Sequence, residues 1–469
     1  MSTYDAIVVG SGPNGLAAAI TLARAGRSVV VIEAQSEAGG GARSGELTLP
    51  GFTHDLFSAV HPMALESDFF RSMSLEEHGL EWIHSPAVLA HPLEDGQAVL
   101  LHRSIEKTAA ALGRDREFYR RQGEGFLRDW DYFKSELLRP IRCPRHPLRL
   151  AKFGISALMS AGLLAKLLFK EPATRALFAG IAAHSALPLE APGSSAFGLT
   201  LLLAGHNVGW PIPRGGARSI SRALVSYLKS LGGEVVTGTP VHSLAELPPA
   251  RAVLLDLTPR QVIAVAGDKL GSRFSARLSR YRYGPGAFKL DWALAGPIPW
   301  INSEVASAVT VHLGCSLEEI AFSEREVWQN RAASRPFVLL AQPSLFDSTR
   351  APAGRHTAWA YCHVPHGSTV DMASAIEAQV ERFAPGFRDL ILARSIFSPA
   401  ELEKRNANLV GGDINGGAVS LRQLFLRPTS RLYSTSSPEL FICSSSTPPG
   451  GGVHGLCGYY AALEALRGT

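Results

Sequence analysis

Cysteine is scarce in this 469-residue chain, and nothing pairs it. Cys143, Cys315, Cys362, Cys443 and Cys457 are odd in number and form no CxxC. A disulfide framework and dithiol redox chemistry are thereby excluded, and reduced thiols in a cytosol-like compartment are expected. Long apolar runs are missing too: the stretch 153–170, FGISALMSAGLLAKLLFK, is too short and too charged to read as a transmembrane span. Charge of one sign is not concentrated. A net charge of +5, without a block of alternating basic and aromatic residues, gives no support to a nucleic-acid partner. No internal repeat, low-complexity tract or long disordered block occurs, and no metal site is expected. The first strand opens by residue 4 or 5, so a secretory or transit segment is not expected and the protein reads as cytoplasmic.

What the chain does contain is concentrated at its start. Residues 4–44 read as a strand, a glycine turn, a helix over 13–25, a second strand over 28–32 and an acid, Glu33. The apolar run Ala6, Ile7, Val8 and Val9 suits a strand buried on both faces. Gly10 makes the tight turn, Gly12 leaves room for a pyrophosphate, and Gly15 lets the helix lie close to the sheet. The helix aims its N-terminal amides at phosphate, and Gly26 ends it. Glu33 arrives where a ribose diol would bind, and its charge repels a 2′-phosphate. The glycines and the acid fall in register with one strand–turn–helix unit, which a chance GxGxxG would not do. No second such unit follows, so a dedicated NAD(P)H domain is not expected.

After Glu33 come Gly39, Gly40, Gly41, Ala42, Arg43 and Ser44. This segment resembles the diglycine-arginine segment of two-domain flavoproteins such as amine oxidases and phytoene desaturases. At the other end, a short strand over 439–443 precedes SSSTPPGGGVHGLCGYYAALEAL, a glycine-rich turn opening a C-terminal helix. Together with PGFTHDLFSAVHP (50–62), GHNVGWPIPRGGARSIS (205–221), YGPGAFKLDWALAGPIPW (283–300) and GGDINGGAVSLRQLFLRP (411–428), these motifs resemble the phytoene-desaturase-like FAD oxidoreductases. The branch most resembled contains pyridine nucleotide-disulfide oxidoreductase domain-containing protein 2. Three glycines and an alanine precede Arg43, where many relatives have a shorter segment.

The resemblance implies an α/β fold: a Rossmann-like FAD-binding domain from 1–60, 214–285 and 405–469, and a discontinuous α+β substrate domain from 61–213 and 286–404. In the middle stretch, 219–231 has helical spacing, and 234–236 and 252–257 read as strands. The segment 61–213 reads mostly helical; 286–404 offers strands over 288–294, 306–312, 337–341 and 357–363. FAD is the expected cofactor, held by Gly10, Gly12, Pro13, Asn14, Gly15, Glu33, Ala34, Gly40, Gly41, Ala42, Arg43, Val241, Ser446, Thr447, Gly451, Gly452 and Val453. Amides near Gly451 to Val453 would face the reduced flavin's negative charge.

Candidates for chemistry are His454, Lys289 and Asp413, with Asn415 and Gln423 beside them. Each has a plainer alternative. His454 can bond backbone at a helix start, Lys289 can pair with Asp291, and Asp413 can cap a turn with Asn415. Cys457 can tether a flavin or pack a helix beside Gly458. His61 and His206 have no assignable partner. The expected activity is FAD-dependent desaturation or oxidation of an apolar, isoprenoid or lipid-derived molecule, with oxygen or a quinone as final acceptor. A flavin amine oxidase and a flavin-stabilised scaffold without turnover stay open beside it. The segment 139–170, with Arg139, Arg142, Arg145, Arg149 and Lys152 leading into apolar residues, reads either as a peripheral membrane contact or as a buried helix with a solvated basic lead-in.

Overall fold

The computed structural model describes residues 4–420, 423 and 426–468. Two sheets organise them. The first is parallel and five-stranded, in the spatial order Leu440–Ile442, Ala250–Leu255, Tyr4–Val9, Val29–Ile32, Glu234–Val236. Its central strands are runs of Val, Ile and Leu, as burial on both faces requires. Strand β1 (Tyr4–Val9) leads through the glycine turn into helix α1 (Pro13–Arg24), which has proline in its first turn and Gly26 at φ 74° just beyond its end. Strand β2 (Val29–Ile32) then returns beside β1. The C-terminal helix Leu456–Gly468 lies against α1, so close that a Cβ at Gly458 would run into the carbonyl oxygen of Asn14.

The second sheet has seven strands, in the order Ile391–Phe397, Gly286–Leu294, His356–Val364, Val338–Ala341, Ala308–Leu313, Ala87–Pro92, Ala98–Leu101. Alternation divides its faces. Phe288, Leu290, Trp292, Ala360, Cys362 and Val338 pack with Ile376, Val380 and Phe383 of the helix Ala373–Phe383. Lys289, Asp291, Trp359, Tyr361 and Leu339 share the opposite face. Helices between residues 105 and 207 build a further core around Trp130, Phe133, Phe153, Phe178 and Leu203.

The segment 61–213 is mostly helical, as its pattern reads, and it also supplies Ala87–Pro92 and Ala98–Leu101 to the second sheet. The stretch 153–170 is not one helix. Pro147–Leu158 and Ala161–Leu168 meet at 105°, where Ser160 caps the second by accepting from the Leu163 amide. No single described helix is long and apolar enough to cross a membrane.

A buried ionic knot ties the hairpin of strands Ser44–Glu46 and Thr53–Asp55 to residues 213–217 and 347–350. Arg350 donates from Nη1 to Asp55 Oδ2 and from Nε to Asp347 Oδ2, each at 2.9 Å, with all three side chains inaccessible. Asp55 also accepts from Ser44 Oγ at 2.6 Å and the Ala217 amide at 2.7 Å, and Asp347 accepts from the Gly215 amide at 2.8 Å. Arg350→Met would leave two carboxylates buried without a counter-charge and is expected to cost about 3–5 kcal/mol. Urea unfolding measures this; an unchanged midpoint at unchanged slope would show that the knot holds nothing.

Candidate functional site

A single cavity of about 720 Å³ runs from the glycine turn, between the sheets, to the alternating face of the second one. The volume is within the ~300–1,000 Å³ of small-molecule and cofactor sites. At one end its wall is the β1–α1 turn. The Gly10 backbone has φ 99°, and a Cβ there would sit 3.1 Å from Asp256 Cβ. A Cβ at Gly12 would come within 2.6 Å of Asp256 Oδ2, and one at Gly40 within 2.7 Å of Gly12 Cα. The two glycine segments are therefore pressed against each other and against Asp256, whose Oδ2 accepts from the Gly15 amide at 3.0 Å. Burial holds Asp256 well above the usual carboxylate range, opposed by the Gly15 amide and reinforced by Glu33.

Glu33 is buried at the end of β2. Its Oε2 accepts from the Ser11 amide (2.8 Å) and hydroxyl (2.6 Å), and its Oε1 from the Gln35 amide (2.9 Å). Ser11 Oγ in turn accepts from the Gly39 amide at 3.1 Å. Arg43 donates from Nε to the Gly40 carbonyl and from Nη2 to the Arg405 carbonyl, with its guanidinium over the Phe57 ring.

Of the expected cofactor residues, Gly10, Gly12, Pro13, Asn14, Glu33, Ala34, Gly40, Gly41, Arg43, Val241, Gly452 and Val453 all meet this cavity. Gly15, Ala42, Ser446, Thr447 and Gly451 stand behind its wall and not on it. Ala42 accepts from Ser221 Oγ, Ser446 Oγ donates to the Gly416 carbonyl, and Thr447 Oγ1 to the Ser444 carbonyl. Their neighbour Ser445 is the one exposed to the cavity.

The chemistry candidates separate. Lys289 lies on the wall, its ammonium paired with Asp291 and 5.1 Å from the Phe397 ring. Burial lowers the Lys289 pKa and raises that of Asp291 to about 6. His454 and Asp413 are off the wall. His454 Nδ1 accepts from the Leu456 amide at 3.0 Å, which leaves Nε2 to donate to the Gly450 carbonyl at 3.2 Å. Asp413 accepts from the amides of Gly284 (2.6 Å) and Asn415 (2.7 Å), closing a turn. Gln423 bonds the Arg282 backbone through both side-chain atoms. Cys457 packs inside, donating weakly to the Thr447 and Gly450 carbonyls, with its thiol pushed up to about 11 by burial. His206 bonds Tyr119 Oη at 2.7 Å. His61 does meet the cavity.

Sequence reasoning missed Ser11, Asp256, Thr310, Trp359 and Tyr361. A signal existed for some of them. Asp256 is the acid that ends the strand beside β1, and Trp359 and Tyr361 stand at alternate positions of an expected strand, hence on one face.

Comparison with known proteins finds relatives that are named as oxidoreductases. Residues 8–69 match the NAD(P)-binding Rossmann-like domain family. Over 99% of this chain and 93% of the relative, it is 26% identical to pyridine nucleotide-disulfide oxidoreductase domain-containing protein 2 of Rattus norvegicus. Over 98% of both chains it is 24% identical to the lycopene-forming phytoene desaturase of Pantoea ananas. The solved structure of cyclohexylamine oxidase from Brevibacterium oxydans superposes with a TM-score of 0.62 over 99% of both chains at 14% identity, a likeness of fold. The fold is the Rossmann-containing α/β type that the motifs implied, shared with that oxidase.

Acid stability follows from the buried histidines. Burial holds His54 and His184 near 3 and His61, His91, His206 and His454 near 4, against an ordinary 6.5. Between those values the unfolded chain binds protons that the folded one refuses, so this stability is present above 6.5 and lost as pH falls toward 3. Asp291, raised to about 6, and Asp256 and Asp413, which burial also raises, work the other way, but the six histidines outnumber them. Calorimetry from pH 7 to pH 4.5 should show Tm falling throughout; a flat profile would contradict the neutral burial of these rings.

Proposed function

We propose, for a chain homologous over its full length to phytoene desaturases and their oxidoreductase relatives, that it is an FAD-dependent oxidoreductase acting on an apolar molecule. The observation that carries this is the one cavity, which joins a dinucleotide turn at one end to a largely apolar sheet face at the other.

The residues fit the cofactor. Asn14 Oδ1 is buried with no hydrogen-bond partner among the described residues, and a Cβ at Gly41 would meet nothing within 4 Å, so the wall leaves a cradle there. The α1 N-terminus offers amides and a dipole to a pyrophosphate. Glu33 offers carboxylate oxygens to ribose hydroxyls, and Arg43 adds positive charge nearby. Gly452 and Val453 line the far side of the same space, before the C-terminal helix. When bound, the flavin supplies the hydride acceptor, and oxygen or a quinone takes the electrons on. The chain itself orients the apolar molecule with Leu201, Trp210, Leu339, Ala341 and Tyr361 and keeps water from the reacting carbon.

An amine oxidase is the second reading, favoured by the shared fold. It is opposed by charge: the acids on the cavity wall are Glu33 and Asp256, both at the dinucleotide end, while the sheet-face end presents Lys289. Tyr459 and Tyr460 pack with Phe69 and Tyr433 instead of flanking the cavity.

The purified protein is expected to show oxidised-flavin absorbance that bleaches when a cell lipid extract is added anaerobically. Bleaching by amines instead would support the second reading, and bound flavin that nothing reduces would point to a scaffold. Glu33→Ala should weaken FAD about 10- to 100-fold, the value of charge-assisted hydrogen bonds. Undiminished affinity would remove Glu33 from the ribose.

Membrane attachment belongs to the same proposal. Leu148, Ile155, Leu158, Leu163 and Leu167 are each more than half exposed on the bent helix pair, while Phe153, Ala157, Leu164 and Ala165 face inward. Arg139 and Arg149 are already paired with Glu136 and Asp129, so the apolar side chains carry most of the contact. Replacing Leu148, Ile155 and Leu158 together by serine should abolish co-sedimentation with anionic vesicles; binding that persists would sink this attachment.

A further inference from the structure

The sheet-face end of the cavity holds polar atoms that its apolar surroundings do not explain. Asp291, Trp359, Ala341 and Thr310 are directly opposed across four neighbouring strands, so their side chains form one row on one face. Asp291 in that row is bonded to Lys289. The others are not satisfied. Trp359 Nε1 and Thr310 Oγ1 have no hydrogen-bond partner among the described residues, and neither has either ring nitrogen of His61 across the cavity. These three side chains are 8%, 5% and 2% exposed. Buried polar groups of folded proteins are nearly always paired, and each left unpaired carries its full desolvation cost. Three that converge on one cavity, beside Leu339, Ala341 and Tyr361, describe a ligand with a matching polar end.

Resting on the flavoenzyme reading above, we propose that this end binds the hydroxyl group of an otherwise apolar molecule: the substrate is a lipid-like alcohol and not a bare hydrocarbon. The inventory favours a hydroxyl over a carbonyl. The Trp359 N–H can only donate, and needs an acceptor oxygen. Thr310 Oγ1 can donate or accept, whereas the unprotonated His61 nitrogen, with its lone pair, only accepts and needs a donor. A hydroxyl meets both demands at once. His61 keeps that lone pair at neutral pH, because burial holds its pKa near 4. A site built this way rejects an analogue without the hydroxyl, since its own groups would then stay unpaired.

The test compares octanol with octane by isothermal titration calorimetry on the FAD-loaded protein. Octanol should bind at least about tenfold more tightly. Thr310→Val and Trp359→Phe should each erode that preference, and Thr310→Ser should retain it. Equal affinities for the two probes, or a preference that survives both substitutions, would overturn the proposal, and the wild-type comparison decides whether or not a variant folds. The flavin absorbance of the same samples keeps the two levels apart. Failure to take up FAD overturns the flavoenzyme reading and this inference with it; FAD uptake with equal probe affinities overturns this inference alone.

Discussion

The close approach of three backbone segments beneath the β1–α1 turn is the constraint on which the rest of the molecule hangs. The turn at Gly10 and Gly12, the return segment at Gly40 and the end of the neighbouring strand at Asp256 occupy a volume that admits no added methyl group. Glycine at these positions is a packing requirement as much as an opening for ligand. Asp256 completes the arrangement by accepting from the Gly15 amide at the start of α1. Its carboxyl group, buried and pushed toward neutrality, makes the turn a rigid floor on which a dinucleotide can lie.

Around that floor, charge is buried only where it is answered. Arg350 with Asp55 and Asp347, and Lys289 with Asp291, each place opposite charges in direct contact away from solvent. Such pairs specify which segments meet, because any other pairing would leave a charge without a partner. The Arg350 knot fixes the hairpin of residues 44–55 against residues 213–217 and 347–350. The unanswered polar atoms of Trp359, Thr310 and His61 stand out against this rule at the cavity's sheet-face end.

Resemblance in sequence and likeness in fold agree on one framework. Relatives near 25% identity span the whole chain, so the framework extends well beyond the Rossmann-like match at 8–69. The substrate end is where such relatives have room to differ, since its residues come from a sheet whose face can be changed without disturbing the turn. His454, attractive from its place in the C-terminal glycine motif, shows how a motif residue can serve the backbone instead: both its nitrogens are used in holding the loop before the last helix.

The sequence alone determined the dinucleotide unit. Its signals are local: a strand, three glycines, a helix and an acid follow one another within thirty or so residues, and each is set by backbone sterics and hydrogen bonds among near neighbours. The strands at 286–294 and 356–364 were equally readable within a residue or two, from their β-branched and aromatic content. Only the tertiary structure decided what stands opposite what. Asp256 reaches Gly15 across 241 positions, and the row of Asp291, Trp359, Ala341 and Thr310 exists only because four strands pair in a particular register. A shift of one residue in any of those strands would turn its side chains to the other face. The cavity's chemistry therefore belongs to the register of strand pairing, which no local stretch of residues encodes.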